Sequence, residues 1–210
     1  WSSDVCSSDL RQSTQLQQMA TAGWILVTLG GFFKATWKLM MAATQTRVDV
    51  VWMDKGMFLW LATGFVLLAT ALWYYNEEQE DLGQASRPWL VPSVILGLMV
   101  VAIFATGFPD FAISTWRFIL LGIMTLANVF MIVLLIGLAR RKQNNLAAVL
   151  LLVSVVISFV LSGMARIPDQ TIPLQWTEQI LNTISQGGFL YAVWMLYQTA
   201  AEPFSGEGAA

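Results

Sequence analysis

The chain has 210 residues, 57% hydrophobic and 11% charged, with 13 acidic and 11 basic side chains for a formal charge of −2. Soluble domains carry about 25% charged residues, so this composition leaves too few charges to cover a water-exposed surface. The weak net charge gives no field to recruit nucleic acid, and with no histidine and a single cysteine the parts for common zinc sites, His-ligated haem, disulfides and His-based triads are missing.

The first ten residues, WSSDVCSSDL, differ in character from the rest of the chain. They lack the basic start and the apolar core of about 7–15 residues that a signal peptide needs. No apolar periodic run follows directly for them to cap. Back-translated as TGG AGT TCA GAC GTG TGC TCT TCC GAT CT, the string resembles the end of a widely used short-read sequencing adapter. Residues 1–10 are therefore expected to be translated artefact and are set aside from fold reasoning. Without Cys6, Asp4 and Asp9 the chain has no cysteine, and its 11 remaining acidic side chains equal its basic ones. Met19 is then a candidate initiator, and further spans before Arg11 are equally compatible.

From there the charges punctuate the chain at even intervals. Uncharged runs cover residues 12–33, 56–76, 88–109, 118–139, 143–165 and 179–201, each 21 to 23 residues long. A helix needs about 20 residues to cross the hydrocarbon core, whereas core helices of soluble proteins are usually shorter and keep a polar stripe. The runs predict an all-α fold: a polytopic integral membrane bundle of about six transmembrane helices over residues 11–201, with a flexible polar tail at 202–210. Trp52, Trp73, Trp89, Trp116 and Trp176 fall near run ends or in links, where indoles favour the headgroup level. Trp60 and Trp194 fall deeper and are read as packing residues.

In the first run the apolar part spans Met19 to Phe33, and Lys34 and Lys38 follow on one helix face. Either the helix continues to about Ala43 with both lysines snorkelling, or the span ends near Phe33 and residues 34–43 lie on the surface as an amphipathic segment. A functional alternative turns Lys34 into the bundle toward an anionic group. The link at 76–88 is acidic, and Pro88 and Pro92 suit the first turn of the next helix. Phe108-Pro109-Asp110 and Ile167-Pro168-Asp169 recur 59 residues apart, as expected of a parallel two-helix repeat or of ordinary helix-ending turn chemistry. Asp110, Arg117, Arg166 and Asp169 fall at one expected membrane face, as candidate loop ion pairs or a cap over a ligand site. Basic residues divide five against six between the two faces, and the compact Arg140-Arg141-Lys142 turn tilts its own side toward the cytoplasm.

The chemistry offered at membrane depth is sparse. The runs hold no carboxylate by definition, and proton relays and ion-coupled pumps usually keep one there. No G-x-S-x-G, P-loop, G-x-G-x-x-G or H-E-x-x-H occurs, and a serine nucleophile would find only end-placed lysines as a base. No catalytic residue, metal ligand or cofactor is predicted. Asn128, Ser154 and Tyr191 lie near the centres of their runs, with Gln186 a turn or so from Tyr191. They are read as a midplane polar cluster, either lining a small pocket or serving as interhelical hydrogen-bond glue. Ser154, Ser158 and Ser162 recur every four residues as a small-residue packing stripe. Gly187-Gly188 marks a bend or a close crossing.

The expected function is that of a non-catalytic binding, sensory or scaffolding module in the membrane, and the alternative is a transporter or channel-like protein for a small neutral solute. The expected partners are the lipid bilayer and a protein partner or second copy, with no nucleic acid. The expected location is a prokaryotic cell membrane.

Overall fold

The computed structural model describes residues 2–44, 50–79, 88–108, 110, 115–164 and 172–201. They form six helices: α1 (Ser2–Ala43), α2 (Val51–Gln79), α3 (Leu90–Ala105), α4 (Thr115–Arg141), α5 (Asn145–Met164) and α6 (Ile172–Ala201). The all-α class and the six helices follow the uncharged runs. Two stretches, Lys55–Glu77 and Thr115–Arg141, are long and apolar enough to cross a membrane, while Leu90–Ala105 and Asn145–Leu161 are apolar but shorter. The chain divides into two compact units, residues 1–131 and 132–210, with the division inside α4.

α1 stays helical past Lys34 and Lys38 to Ala43. It also begins at Ser2, so the helix runs through the adapter-like stretch; once a helix is nucleated, each added residue gains one hydrogen bond. α3 is shorter than its uncharged run, at 16 residues. Pro92 is the third residue of its first turn and removes no helical bond, since the first in-helix bond is donated by the Ser93 N–H to the Trp89 carbonyl. The far end closes on Gly107, whose φ of 102° is in the left-handed region. There the Phe108 N–H donates to the Ile103 carbonyl and the Gly107 N–H to the Phe104 carbonyl, the paired bonds that stop a helix at a left-handed residue.

The first unit is built on α1 and α2, with α3 and the first half of α4 packed beside α2. Gly23 and Gly64 let the two long backbones touch. A Cβ on Gly64 would meet the Gly23 carbonyl oxygen at 2.8 Å and the Val27 nitrogen at 2.9 Å, and one on Gly23 would meet the Gly64 carbonyl oxygen at 2.9 Å. Gly30 makes a second close approach, to Leu61. Two clusters fill the remaining space: Met19, Leu67 and Ala71 along α1 and α2, and Ala62, Met99, Ile103, Trp116 and Leu120 between α2, α3 and α4.

In the second unit α5 packs against α6. Ala147, Leu151 and Ser154 are buried on α5, and Ser185, Ala192 and Leu196 on α6. Both sets follow the three-to-four-residue spacing of one helix face. The turn from α4 to α5 ends α4 as Gly107 ends α3, but with Gln143 at φ 55° in the left-handed position. The Asn144 N–H donates to the Ala139 carbonyl, and the Asn144 side-chain oxygen then accepts from the Ala147 N–H at 3.1 Å, capping α5. A side chain at a left-handed position costs about 1 kcal/mol relative to glycine. Gln143→Gly is expected to raise stability by about that amount, read as a higher unfolding midpoint in detergent.

Candidate functional site

A buried pair of side-chain hydrogen bonds joins α5 to α6. The Ser154 hydroxyl lies 3.0 Å from the Ser185 carbonyl oxygen, and the Ser185 hydroxyl donates back to the Ser154 carbonyl at 3.1 Å. Both serines are buried. The Ser154 hydrogen is shared with its own Leu150 carbonyl at 2.9 Å, whereas the Ser185 bond runs wholly between helices. Gly188 faces the pair, since a Cβ there would sit 3.6 Å from the Ser154 hydroxyl oxygen. α6 is continuous through Gly187-Gly188, and of the two only Gly188 lies within contact range of α5, since a Cβ on Gly187 would meet nothing within 4 Å. Ser158 donates to the Ser154 carbonyl along α5, and the Ser162 side chain lies outside the described residues.

Interhelical hydrogen bonds of this kind average about 0.6 kcal/mol in a membrane. Ser185→Ala is expected to cost about that much, and Ser154→Ala less, because part of the Ser154 bond stays within α5. Unfolding the two single variants side by side in mixed micelles checks the order.

Within the second unit, Gln186 and Tyr191 do not join this contact. Gln186 is exposed, because it is Ser185, one residue earlier, that turns inward. Tyr191 is 49% exposed and rests its ring against Trp194 at 5.8 Å. Asn128 lies half-buried in the part of α4 that belongs to the first unit. Among these residues only Ser154 is buried with a partner on another helix.

The exposed face that holds Gln186 carries further amides and hydroxyls that the run centres do not single out. Gln179, Asn182 and Thr183 are exposed with it, spaced i, i+3, i+4 and i+7, so they share one face. That spacing is legible in the sequence, but only to a reading that follows helix faces instead of depth. A further amide, Asn76 near the end of α2, is 6% exposed, and its side-chain oxygen has no hydrogen-bond partner.

At one end of the first unit, aromatic and basic side chains collect. The Arg117 guanidinium lies 5.5 Å over the Phe58 ring, within cation–π range. Trp116, near the start of α4, turns its side chain inward. It is fully buried, edge-on to Phe108 at 5.4 Å, with its indole N–H donating to the Asp110 carbonyl at 3.3 Å. The Gly107 turn swings Phe108 back over the start of α4 and covers the indole. Arg166, Pro168 and Asp169 lie outside the described residues.

Lys34 and Lys38 are exposed. Phe33 stacks near Trp60 at 6.2 Å and meets Trp52 edge-on at 5.7 Å, which sets Lys34 level with the first turns of α2. Trp60, read from the sequence as packing, does stack on Phe33, with one edge still exposed. Among the described residues no group of three or more His, Cys, Asp or Glu side chains gathers as a metal site.

No protein-family model, curated protein or solved structure gives a significant match to the chain.

The chain offers two pieces of geometry: a serine-paired helix hairpin with an amide face, and a glycine-paired helix hairpin with a cationic, aromatic end.

Proposed function

We propose that the protein is a multi-pass integral membrane protein that places its six helices in the bilayer and acts there, without catalysis, as a binding, sensory or scaffolding module. The observation that carries this is the outward apolar surface of helix after helix. Leu98 on α3, Phe118 and Leu126 on α4, Val156 on α5 and Ile184 on α6 are all more than half exposed, Leu126 at 73%. Water-soluble monomers rarely expose apolar patches beyond a few hundred Å², and lipid is the medium in which such faces are stable.

The hydroxyls support the same medium. Thr28 and Thr125, both exposed, donate to the carbonyls four residues earlier, Trp24 and Leu121, at 2.9 and 2.8 Å. Lipid offers no acceptor, so a hydroxyl facing it must find one within its own helix.

The test is to express the full chain, wash the membranes with alkaline carbonate, and label single cysteines on a Cys6→Ser background with an impermeant maleimide. The chain is expected to stay in the pellet, with Thr44→Cys and Gln143→Cys labelled from opposite sides. A soluble chain defeats the membrane reading, and labelling of both positions from one side defeats the six-span count. A path for a small neutral solute would need water at Ser154. Its burial and its bond to Ser185 favour packing instead.

A further inference from the structure

The reciprocal serine bonds fix more than affinity between α5 and α6, because they also fix depth. Ser154 is near the middle of α5 (Asn145–Met164), and Ser185 is level with it. Asn182 and Gln186 flank Ser185 on α6, so they too lie within a turn of the middle of α5, with Gln179 one further turn toward the α6 start. All three amides are exposed. On the membrane reading proposed above, on which this inference rests, they would face hydrocarbon near the bilayer centre. That is where an unpaired amide is least tolerated.

We infer that this face of α6 is covered by the same face of a second copy of the chain. The occupant follows from the chemistry of the face. Each carboxamide carries both a donor pair and an acceptor, so a row of them is complementary to itself. A two-fold axis along the membrane normal sets each amide beside its counterpart. A charged or purely accepting partner would leave half of these groups unfilled, and lipid would leave all of them so. The neighbouring apolar face at Ile180 and Ile184 is also exposed and needs no such partner, because lipid satisfies it. The pairing is thus confined to one side of α6.

The experiment uses the full chain on a Cys6→Ser background in phosphatidylethanolamine–phosphatidylglycerol vesicles. Leu190→Cys puts a thiol one turn beyond Gln186 on the amide face. Ile184→Cys puts one on the other exposed face, roughly 160° around the helix from Gln186. Under mild oxidation, Leu190→Cys is expected to form disulfide-linked dimers and Ile184→Cys to stay monomeric. Adding Gln179→Leu, Asn182→Leu and Gln186→Leu should weaken the dimer by about threefold per amide, or about twentyfold for all three, read as a shift in the protein-to-lipid ratio at half-maximal cross-linking.

Equal cross-linking at both positions overturns the inference, as does cross-linking unaffected by the three leucines. Labelling of Leu190→Cys by an impermeant maleimide in place of cross-linking also overturns it, and points to a hydrated path along the amides. Carbonate extraction of the same vesicles separates the two levels: a chain that stays in the membrane but does not cross-link sinks only the dimer, whereas a chain that washes off sinks the membrane reading with it.

Discussion

Gly64→Ala is expected to be among the most damaging single-carbon additions the chain can suffer. The new methyl has nowhere to go, since its position lies 2.8 Å from the Gly23 carbonyl oxygen and 2.9 Å from the Val27 nitrogen. Both are main-chain atoms, so no rotamer change relieves the clash, and α1 and α2 must separate along their whole contact. Overpacking a well-fitted core costs about 1–3 kcal/mol, and this site belongs at the top of that range or above it. Gly97→Ala is the control. It makes the same chemical change in the interior of α3, where an added Cβ meets nothing within 4 Å. There the helix preference of alanine is expected to raise stability by up to about 1 kcal/mol. Opposite shifts in the unfolding midpoint of the two variants support the crossing. Equal shifts mean that α1 and α2 do not meet at these glycines.

Trp116→Ala is expected to be comparably severe, for a different reason. Trp116 is the largest fully buried side chain among the described residues and sits in the cluster that ties α4 to α2 and α3. Emptying such a site costs about 3–5 kcal/mol. Trp116→Phe retains most of the apolar volume and loses the hydrogen bond to the Asp110 carbonyl, so it should cost nearer 1 kcal/mol beyond the volume change. Thermal unfolding in detergent gives both values. If phenylalanine is as damaging as alanine, the anchoring of the 110 turn by the indole N–H matters more than the packing.

Both residues show where local sequence stops informing. The spacing of the charges placed six helices, because a charged side chain is so costly in an apolar face that its position marks where the face ends. The end of α3 and the start of the α4–α5 turn were also accessible in principle, through Gly107 and the Asn144 cap. The burial of Trp116 was not legible because its neighbourhood in sequence is a link, while its neighbourhood in space is set by Phe108 folding back from the Gly107 turn. Gly23 and Gly64 are 41 residues apart in the sequence, and nothing local announces that they meet.

The candidate site shows the same limit at finer grain. The run centres pointed to Ser154 and to the right turn of α6, but a step of one residue rotates a helical side chain by about 100°. That step decides whether Ser185 or Gln186 faces α5. The choice belongs to the pairing of the two helices, which the period of one helix alone does not contain.

The threonines that donate to their own helix bear on how such a chain is made. Thr21, Thr28, Thr106, Thr125, Thr183 and Thr199 each donate to the carbonyl four residues back. In a chain that enters the bilayer segment by segment during synthesis, these hydroxyls need no neighbour, so a newly emerged helix can rest in lipid alone. The amides of α6 have no such internal remedy. If the chain is inserted in this way, the residence of α6 in lipid would depend on finding company.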